Sequence, residues 1–103
     1  MVKENAIKLI RLYIETCRSY GIDFYKVILF GSFAKGNNTN DSDIDLALVS
    51  DKFTDYPIED RKKIVKANIK FSQIEPHTFS TRYFLKGDPF IDEIKRTGIE
   101  ITL

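Results

Sequence analysis

Two short runs of apolar residues constrain the fold of this chain more than any other feature. The first is Lys26–Phe30 (KVILF), and the second is the LALV segment within Asp43–Val49. A strand that is apolar on both of its sides must be covered on both faces of its sheet. The sequence therefore predicts a small buried sheet with helices packed against it.

Helical spacing of apolar residues flanks these strands. The apolar side of a first helix, ending near Tyr20-Gly21, consists of Ile7, Ile10, Ile14 and Cys17. One side of a second helix, from Ile58 to about Ile69, consists of Ile58, Arg61, Val65 and Ile69. Asp88 and Pro89 are typical of an N-cap followed by the first helical position, and Gly98 should end that last helix.

The remaining segments complete a mixed sheet. A third strand is predicted near Ser72–Thr78, where Pro76 would remove a ladder hydrogen bond and so should lie at an edge or end. Short helical turns are expected at Ser32–Lys35 and Thr81–Leu85, and a terminal strand at Ile99–Leu103. The predicted class is α/β (α+β), a small mixed β-sheet flanked by helices, with residues 1–103 as one domain.

Composition excludes several classes of protein. The formal net charge of +1 gives no global field for binding nucleic acid or membranes. No segment has the ~18 apolar residues of a membrane span, and the start MVKENAIKLI does not resemble a signal peptide. The single cysteine, Cys17, cannot form an intrachain disulfide and is expected to be buried and inert. We expect a soluble cytoplasmic protein.

The segment Phe30–Leu48 (FGSFAKGNNTNDSDIDLAL) carries residues suited to phosphate and metal chemistry. Gly31 lets the backbone approach a ligand closely, and Ser32 adds a hydroxyl where free N–H groups at a helix start bind anions. Asp43 and Asp45 are two apart on a strand, so their carboxylates share a face. Mg²⁺ prefers such oxygen ligands and is often shared with substrate phosphates.

Gly31-Ser32, Gly36 and the run Ser42–Leu46 together resemble the motif of the DNA polymerase beta-like nucleotidyltransferase superfamily. The short length resembles its minimal nucleotidyltransferases. The resemblance implies transfer of a nucleoside monophosphate from a nucleoside triphosphate, with ATP expected, to a protein or nucleic-acid hydroxyl. The nucleotide-binding residues that it implies are Gly31, Ser32, Gly36 and Ser42.

The resemblance also implies a metal centre with a third acid on a later strand. Asp43 and Asp45 would hold Mg²⁺, or Mn²⁺ in its place, and two ions are expected. Glu75 is the preferred third acid, as second-metal ligand or base, with Asp51 and Asp55 as the alternatives. His77 shares the strand face of Glu75; it is either an assistant in the chemistry or, preferably, a structural residue.

The acceptor and the partners are less constrained. Proteins that resemble this one often occur beside a helical HEPN-type partner in toxin–antitoxin-like systems, so such a partner, or self-association, is expected to complete the cleft. A degenerate module that neutralises a partner protein is the alternative function. A basic helix face could bind nucleic acid but is preferably a solvated surface: Arg61, Lys62, Lys63 and Lys66.

Overall fold

The computed structural model describes residues 1–103. Helices and strands follow one another in the predicted order. They are α1 (Lys3–Ser19), β1 (Lys26–Phe30), α2 (Ser32–Lys35), β2 (Ile44–Ser50), α3 (Pro57–Lys70), β3 (Ile74–Ser80), α4 (Thr81–Lys86), α5 (Pro89–Thr97) and β4 (Ile99–Glu100). The expected α/β class is confirmed.

The four strands form one mixed sheet in the order β3-β2-β1-β4. β1 is antiparallel to both β2 and β4, whereas β2 and β3 run parallel and are connected through α3. Pro76 lies in β3 and therefore on an edge strand, as its missing N–H required. The parallel pair matters for function because it aligns the starts of β2 and β3 at the same end of the sheet.

Helices cover both faces of the sheet, as the doubly apolar strands required. α1 and α3 pack on one face, where Ile10 and Ile64 join Leu29 and Leu46 in the larger cluster. α4 and α5 cover part of the other face, where the smaller cluster consists of Ile28, Ala47, Val49, Phe79, Phe84, Ile91 and Ile94. None of the helices combines the length and apolar character needed to cross a bilayer.

The side of α3 that faces the core differs from the predicted one. Ile58 and Ile69 are 74% and 75% exposed, and Val65 is also exposed, while Ile64 is buried. The cause is Asp60, whose carboxylate is buried and accepts hydrogen bonds from the loop before the helix. A buried carboxylate without hydrogen bonds would lower the stability of the fold. The bonds of Asp60 therefore fix the rotation of α3 about its axis, and Ile58, Val65 and Ile69 face solvent.

The bounds of three strands also differ from expectation. β2 begins at Ile44 rather than Asp43, and β3 begins at Ile74 and continues to Ser80. β4 ends at Glu100, although the N–H of Ile101 still donates to the carbonyl of Val27. The shift at β2 matters for the site because it leaves Asp43 just outside the strand.

Candidate active site

Asp45 and Glu75 occupy paired positions at the beginning of the parallel strands β2 and β3. Paired side chains of neighbouring strands project from the same face of a sheet. Phe30, the last residue of β1, pairs with Asp45 from the other side. Three neighbouring strands therefore bring two carboxylates and one aromatic ring to one corner of the sheet.

Gly31 closes this corner by packing directly against Asp45. Its φ of +72° and ψ of −149° lie in a region that only glycine occupies readily. A β-carbon at this position would lie 3.2 Å from Cγ of Asp45 and would overlap its carboxylate oxygen. The glycine is therefore required both by the backbone conformation and by the close approach of the Asp45 side chain.

The turn after Gly31 begins with backbone donors that have no partner within the helix. The N–H of Lys35 makes the first hydrogen bond within α2, to the carbonyl of Gly31 at 3.1 Å. The N–H groups of Ser32 and the two residues after it precede that bond and remain available. Gly36 ends the turn in the left-handed conformation (φ +78°), which explains this second glycine without contact to a ligand.

Ser42 and Asp43 lie in the loop that leads into β2. The Ser42 hydroxyl accepts a hydrogen bond from the N–H of Thr39 at 2.8 Å, so its clearest role is to close this loop. Asp43 is exposed and lies one residue before the strand. The structure thus places Asp43 at the solvent edge of the site and Asp45 against the sheet.

His77 also contacts this site, although sequence analysis preferred a structural role for it. Its Nε2 lies 3.4 Å from Oδ1 of Asp45. The ring packs edge-to-face against Phe30 at 5.0 Å and Phe90 at 6.0 Å between centroids. The signal in the sequence was its position two residues after Glu75; nothing in the sequence indicated Phe90.

Glu75 is not free in this structure. Its carboxylate accepts a hydrogen bond from the Arg61 guanidinium at 3.1 Å, and both side chains are about half exposed, at 47% and 53%. Ion pairs at such exposure are worth little, typically about 0–1 kcal/mol. The pair can therefore open at small cost when a ligand competes for Glu75.

The two alternative third acids lie far from this corner. Asp51 follows the last residue of β2. Asp55 accepts hydrogen bonds from the N–H and hydroxyl of Ser80, the last residue of β3, at 2.7 and 2.6 Å. Because β2 and β3 are parallel, both acids lie at the opposite end of the sheet from Asp45. The structure brings only Glu75 next to Asp45.

The start of α5 positions Phe90 over the site. Asp88 caps the helix by accepting a hydrogen bond from the N–H of Ile91 at 2.7 Å, as its sequence position predicted. The Tyr83 hydroxyl, and then this backbone N–H, hold the pKa of Asp88 below its usual range. The two contacts tie α4 to α5, so Phe90 projects beside His77 and Phe79.

The donor set fits a metal that is shared with a substrate. No three or more histidine, cysteine, aspartate or glutamate side chains lie close enough together to hold an ion by themselves. Asp43 and Asp45 offer two carboxylates at an accessible corner, and Mg²⁺ is usually held by one or two carboxylates together with phosphates and water. The residues present therefore suit a nucleotide-bound Mg²⁺ better than a protein-enclosed ion.

A family model described as the nucleotidyltransferase domain matches residues 10–101. The chain belongs to the nucleotidyltransferase family. The match includes all of the sheet corner described above, and the resemblance drawn from Gly31 to Leu46 is thereby confirmed. The individual roles of the site residues stay predictions.

Relatives agree with this assignment. Two proteins of Methanocaldococcus jannaschii, each named "putative protein adenylyltransferase", are 41% identical over 53% of this chain and 34% identical over 74% of it. The matches span 56% and 77% of those relatives. A crystal structure of a "putative nucleotidyltransferase" from Sulfolobus solfataricus has a TM-score of 0.64 at 21% identity, covering 95% of this chain and 80% of its own. At that identity the likeness supports the fold alone.

Proposed function

We propose that this protein is a Mg²⁺-dependent nucleotidyltransferase that moves AMP from ATP to a hydroxyl group of a protein. The observation that carries the proposal is the pairing of Asp45 with Glu75 beside Gly31. The names of the two relatives support adenylyl transfer and a protein acceptor. The whole proposal concerns one domain, residues 1–103.

Each residue of the corner has a task in this proposal. The N–H groups after Gly31 and the Ser32 hydroxyl bind the triphosphate, while Asp43 and Asp45 hold the nucleotide's Mg²⁺. When bound, the metal supplies charge that stabilises the transition state and the leaving pyrophosphate. His77 orients the Asp45 carboxylate, which it contacts at 3.4 Å.

The reaction balances as a single displacement. The acceptor oxygen forms a bond to the α-phosphorus, and the bond from the α-phosphorus to the bridging oxygen breaks, so that pyrophosphate leaves. Glu75 takes the proton of the attacking hydroxyl. Its partner Arg61 is half exposed, so the carboxylate can change partner without loss of packing. If a second metal were bound between Asp45 and Glu75, the Glu75 carboxylate would be a metal ligand instead of the base.

Calorimetry with ATP tests the nucleotide site. ATP should bind in the presence of Mg²⁺ and much less in EDTA. Asp43→Asn and Asp45→Asn should each weaken binding at least about tenfold, because each removes a charged metal ligand. Asp41→Asn is the matched control, since Asp41 is an exposed acid of the same loop. Equal affinity in all four proteins would contradict the assignment.

Transfer of label from [α-³²P]ATP then separates an enzyme from a binding module. Label on protein together with pyrophosphate release supports the proposal. Nucleotide binding without transfer to any protein or RNA would favour the degenerate module that acts only by association. Label on RNA would show that the acceptor is a nucleic-acid hydroxyl instead.

The exposed stripe of α3 favours a partner protein. Ile58, Val65 and Ile69 lie on the solvent side of α3, and the neighbouring Lys62 and Lys66 add positive charge. We propose that an acidic amphipathic helix of a HEPN-type partner covers this stripe. Sedimentation of the chain, alone and with the product of the neighbouring gene, tests it. The complex should form and should fail with Ile69→Glu; monomers in both samples would contradict it.

A further inference from the structure

An open groove of about 250 Å³ lies beside the active-site corner, along the outer edge of β3. Arg61 of α3 borders it on one side and Phe90 of α5 on the other. His77 contacts Asp45 and also lines the groove, so the two surfaces are continuous. The proposed transfer leaves this groove without a role.

The direction of the backbone groups in β3 follows from one hydrogen bond. The N–H of Ile44 donates to the carbonyl of Gln73 at 2.9 Å, so Gln73 faces β2. Backbone groups alternate in direction along a strand. Residues 75, 77 and 79 therefore pair with β2, while residues 76, 78 and 80 direct their N–H and C=O groups outward.

Most of this outer edge is already occupied. Pro76 has no N–H, and its carbonyl accepts a hydrogen bond from Arg61 at 3.4 Å. The N–H of Ser80 donates to Asp55 at 2.7 Å. Thr78 lies between them, in the groove. Because β3 is an edge strand and no loop or cap bonds to Thr78, its outward N–H and C=O have no partner in the fold. One residue with an open N–H and an open C=O thus remains at the centre of an otherwise protected edge.

The Phe90 wall of the groove can contact a side chain of a bound, extended polypeptide. Phe90 is 46% exposed and packs against His77 and Phe79 with centroid distances of 6.0 and 6.2 Å. An exposed aromatic ring beside a free strand edge can cover one side chain of an added strand, while the backbone makes the main-chain hydrogen bonds.

We propose that this groove binds the acceptor as an extended polypeptide segment that pairs with Thr78 through its own N–H and C=O. The inference rests on the proposed function. Glu75 precedes Thr78 by three residues, or about 10 Å along a strand. Thr78 and Glu75 lie on opposite faces of the sheet, as side chains three apart on a strand do. A segment docked at Thr78 therefore places a hydroxyl side chain three residues away at the Asp45–Glu75 corner.

The chemistry of the groove favours protein over nucleic acid. Its open groups are one donor and one acceptor at peptide spacing, which complement another peptide. Arg61 is the one lysine or arginine of its lining, whereas a nucleic-acid strand would require several cations to neutralise successive phosphates. The net charge of +1 adds no wider attraction for phosphates.

NMR of the ¹⁵N-labelled full chain tests the inference. The probe is an equimolar pool of N-acetylated, C-amidated heptapeptides with a central tyrosine, serine or threonine between randomised residues. At about ten times the pool's apparent Kd, exchange of the Thr78 amide with solvent should slow about tenfold. ATP with Mg²⁺, titrated into the same sample, should instead shift the amides of Gly31 and Asp45.

Two substitutions separate backbone pairing from other contacts. Thr78→Pro removes the donor and is compatible with an edge position, so peptide affinity should fall roughly three- to tenfold with ATP affinity unchanged. Thr78→Val keeps the donor and should bind like the parent protein. If Thr78→Pro does not fold, Phe90→Ala provides the second test, with a similar loss of peptide affinity expected.

The outcomes distinguish this inference from the proposed function. Suppose that nucleotide binds at Asp45, but that the peptides leave the Thr78 amide unchanged or shift only amides of α3. Peptide binding in the groove would then be refuted, and the nucleotidyltransferase proposal would stand. If an oligouridine, and not the peptides, shifts the Thr78 amide resonance, the acceptor is not a polypeptide. Peptide docking without any nucleotide binding would overturn the acceptor role itself.

Discussion

Replacing Gly31 by alanine tests the contact on which the candidate active-site corner depends. Gly31 has φ +72° and ψ −149°, a conformation costing other residues about 1–3 kcal/mol. The new β-carbon would also lie 3.2 Å from Cγ of Asp45 and overlap its carboxylate oxygen. Forcing an extra carbon into a filled space costs about 1–3 kcal/mol more. We expect Gly31→Ala to lower the free energy of unfolding by about 2–6 kcal/mol.

Gly36→Ala is the matched control for backbone strain. Gly36 has φ +78°, and a β-carbon added there would meet no atom within 4 Å, so only the conformational cost of about 1–2 kcal/mol applies. The overlap at Gly31 is isolated by combining Gly31→Ala with Asp45→Ala in a double-mutant cycle. Removing the carboxylate should relieve the overlap and leave the strain, giving a favourable coupling energy of about 1–3 kcal/mol.

Urea unfolding at one temperature gives all of these free energies. Calorimetric titration of Gly31→Ala with ATP and Mg²⁺ should also show weaker binding, because the displaced Asp45 no longer presents its carboxylate correctly. If Gly31→Ala costs no more than Gly36→Ala and the cycle shows no coupling, Gly31 does not hold Asp45 in place.

Three further predictions concern buried residues of α1 and α3. Asp60→Asn should cost about 1–3 kcal/mol in urea unfolding, because one amide oxygen cannot replace the two carboxylate oxygens that bind the preceding loop; exposed Glu59→Gln should stay within about 0.5 kcal/mol, and similar values for both would be contrary evidence. Burial raises the pKa of the Cys17 thiol from 9.0 to about 11, so the folded protein holds this proton more tightly than the unfolded chain. Stability should be full below pH 9 and lost as the pH rises towards 11, by about 2–3 kcal/mol, and Cys17→Ala should show a shallower decline; parallel pH profiles would contradict the shift. Ile64→Ala should cost about 2–5 kcal/mol and Ile69→Ala less than about 0.5 kcal/mol in thermal or urea unfolding, and the reverse order would restore the stripe first predicted for α3.

Local signals predicted the elements of this fold well. The N-cap and proline at Asp88 and Pro89 both have the predicted roles, and Gly98 ends α5 as expected. The first buried strand has the predicted bounds, Lys26–Phe30. These features depend on residues within one or two turns of each other, so a short stretch of sequence contains the physical information that decides them.

The site could be predicted only in part. Residue spacing alone assigned Gly31 and Asp45 to one sequence motif, and the family match supports that motif. The sequence favours Glu75 among three acids, but the proximity of Glu75 to Asp45 follows from the register of two strands about thirty residues apart. The same register brings His77 to the corner, and its position two residues after Glu75 is the one signal for it in the sequence. Phe90 reaches the corner through the docking of α5, which leaves no local signal.

The sequence by itself determined which segments are helices and strands, that both sheet faces are covered, and to which family the chain belongs. Tertiary structure alone decided which side of α3 is buried, because Ile64 and the stripe through Ile69 are both apolar. The hydrogen bonds of buried Asp60 to its loop select between them. Tertiary structure also decided that Thr78 keeps a free N–H and a free C=O, since strand order determines which backbone groups find partners.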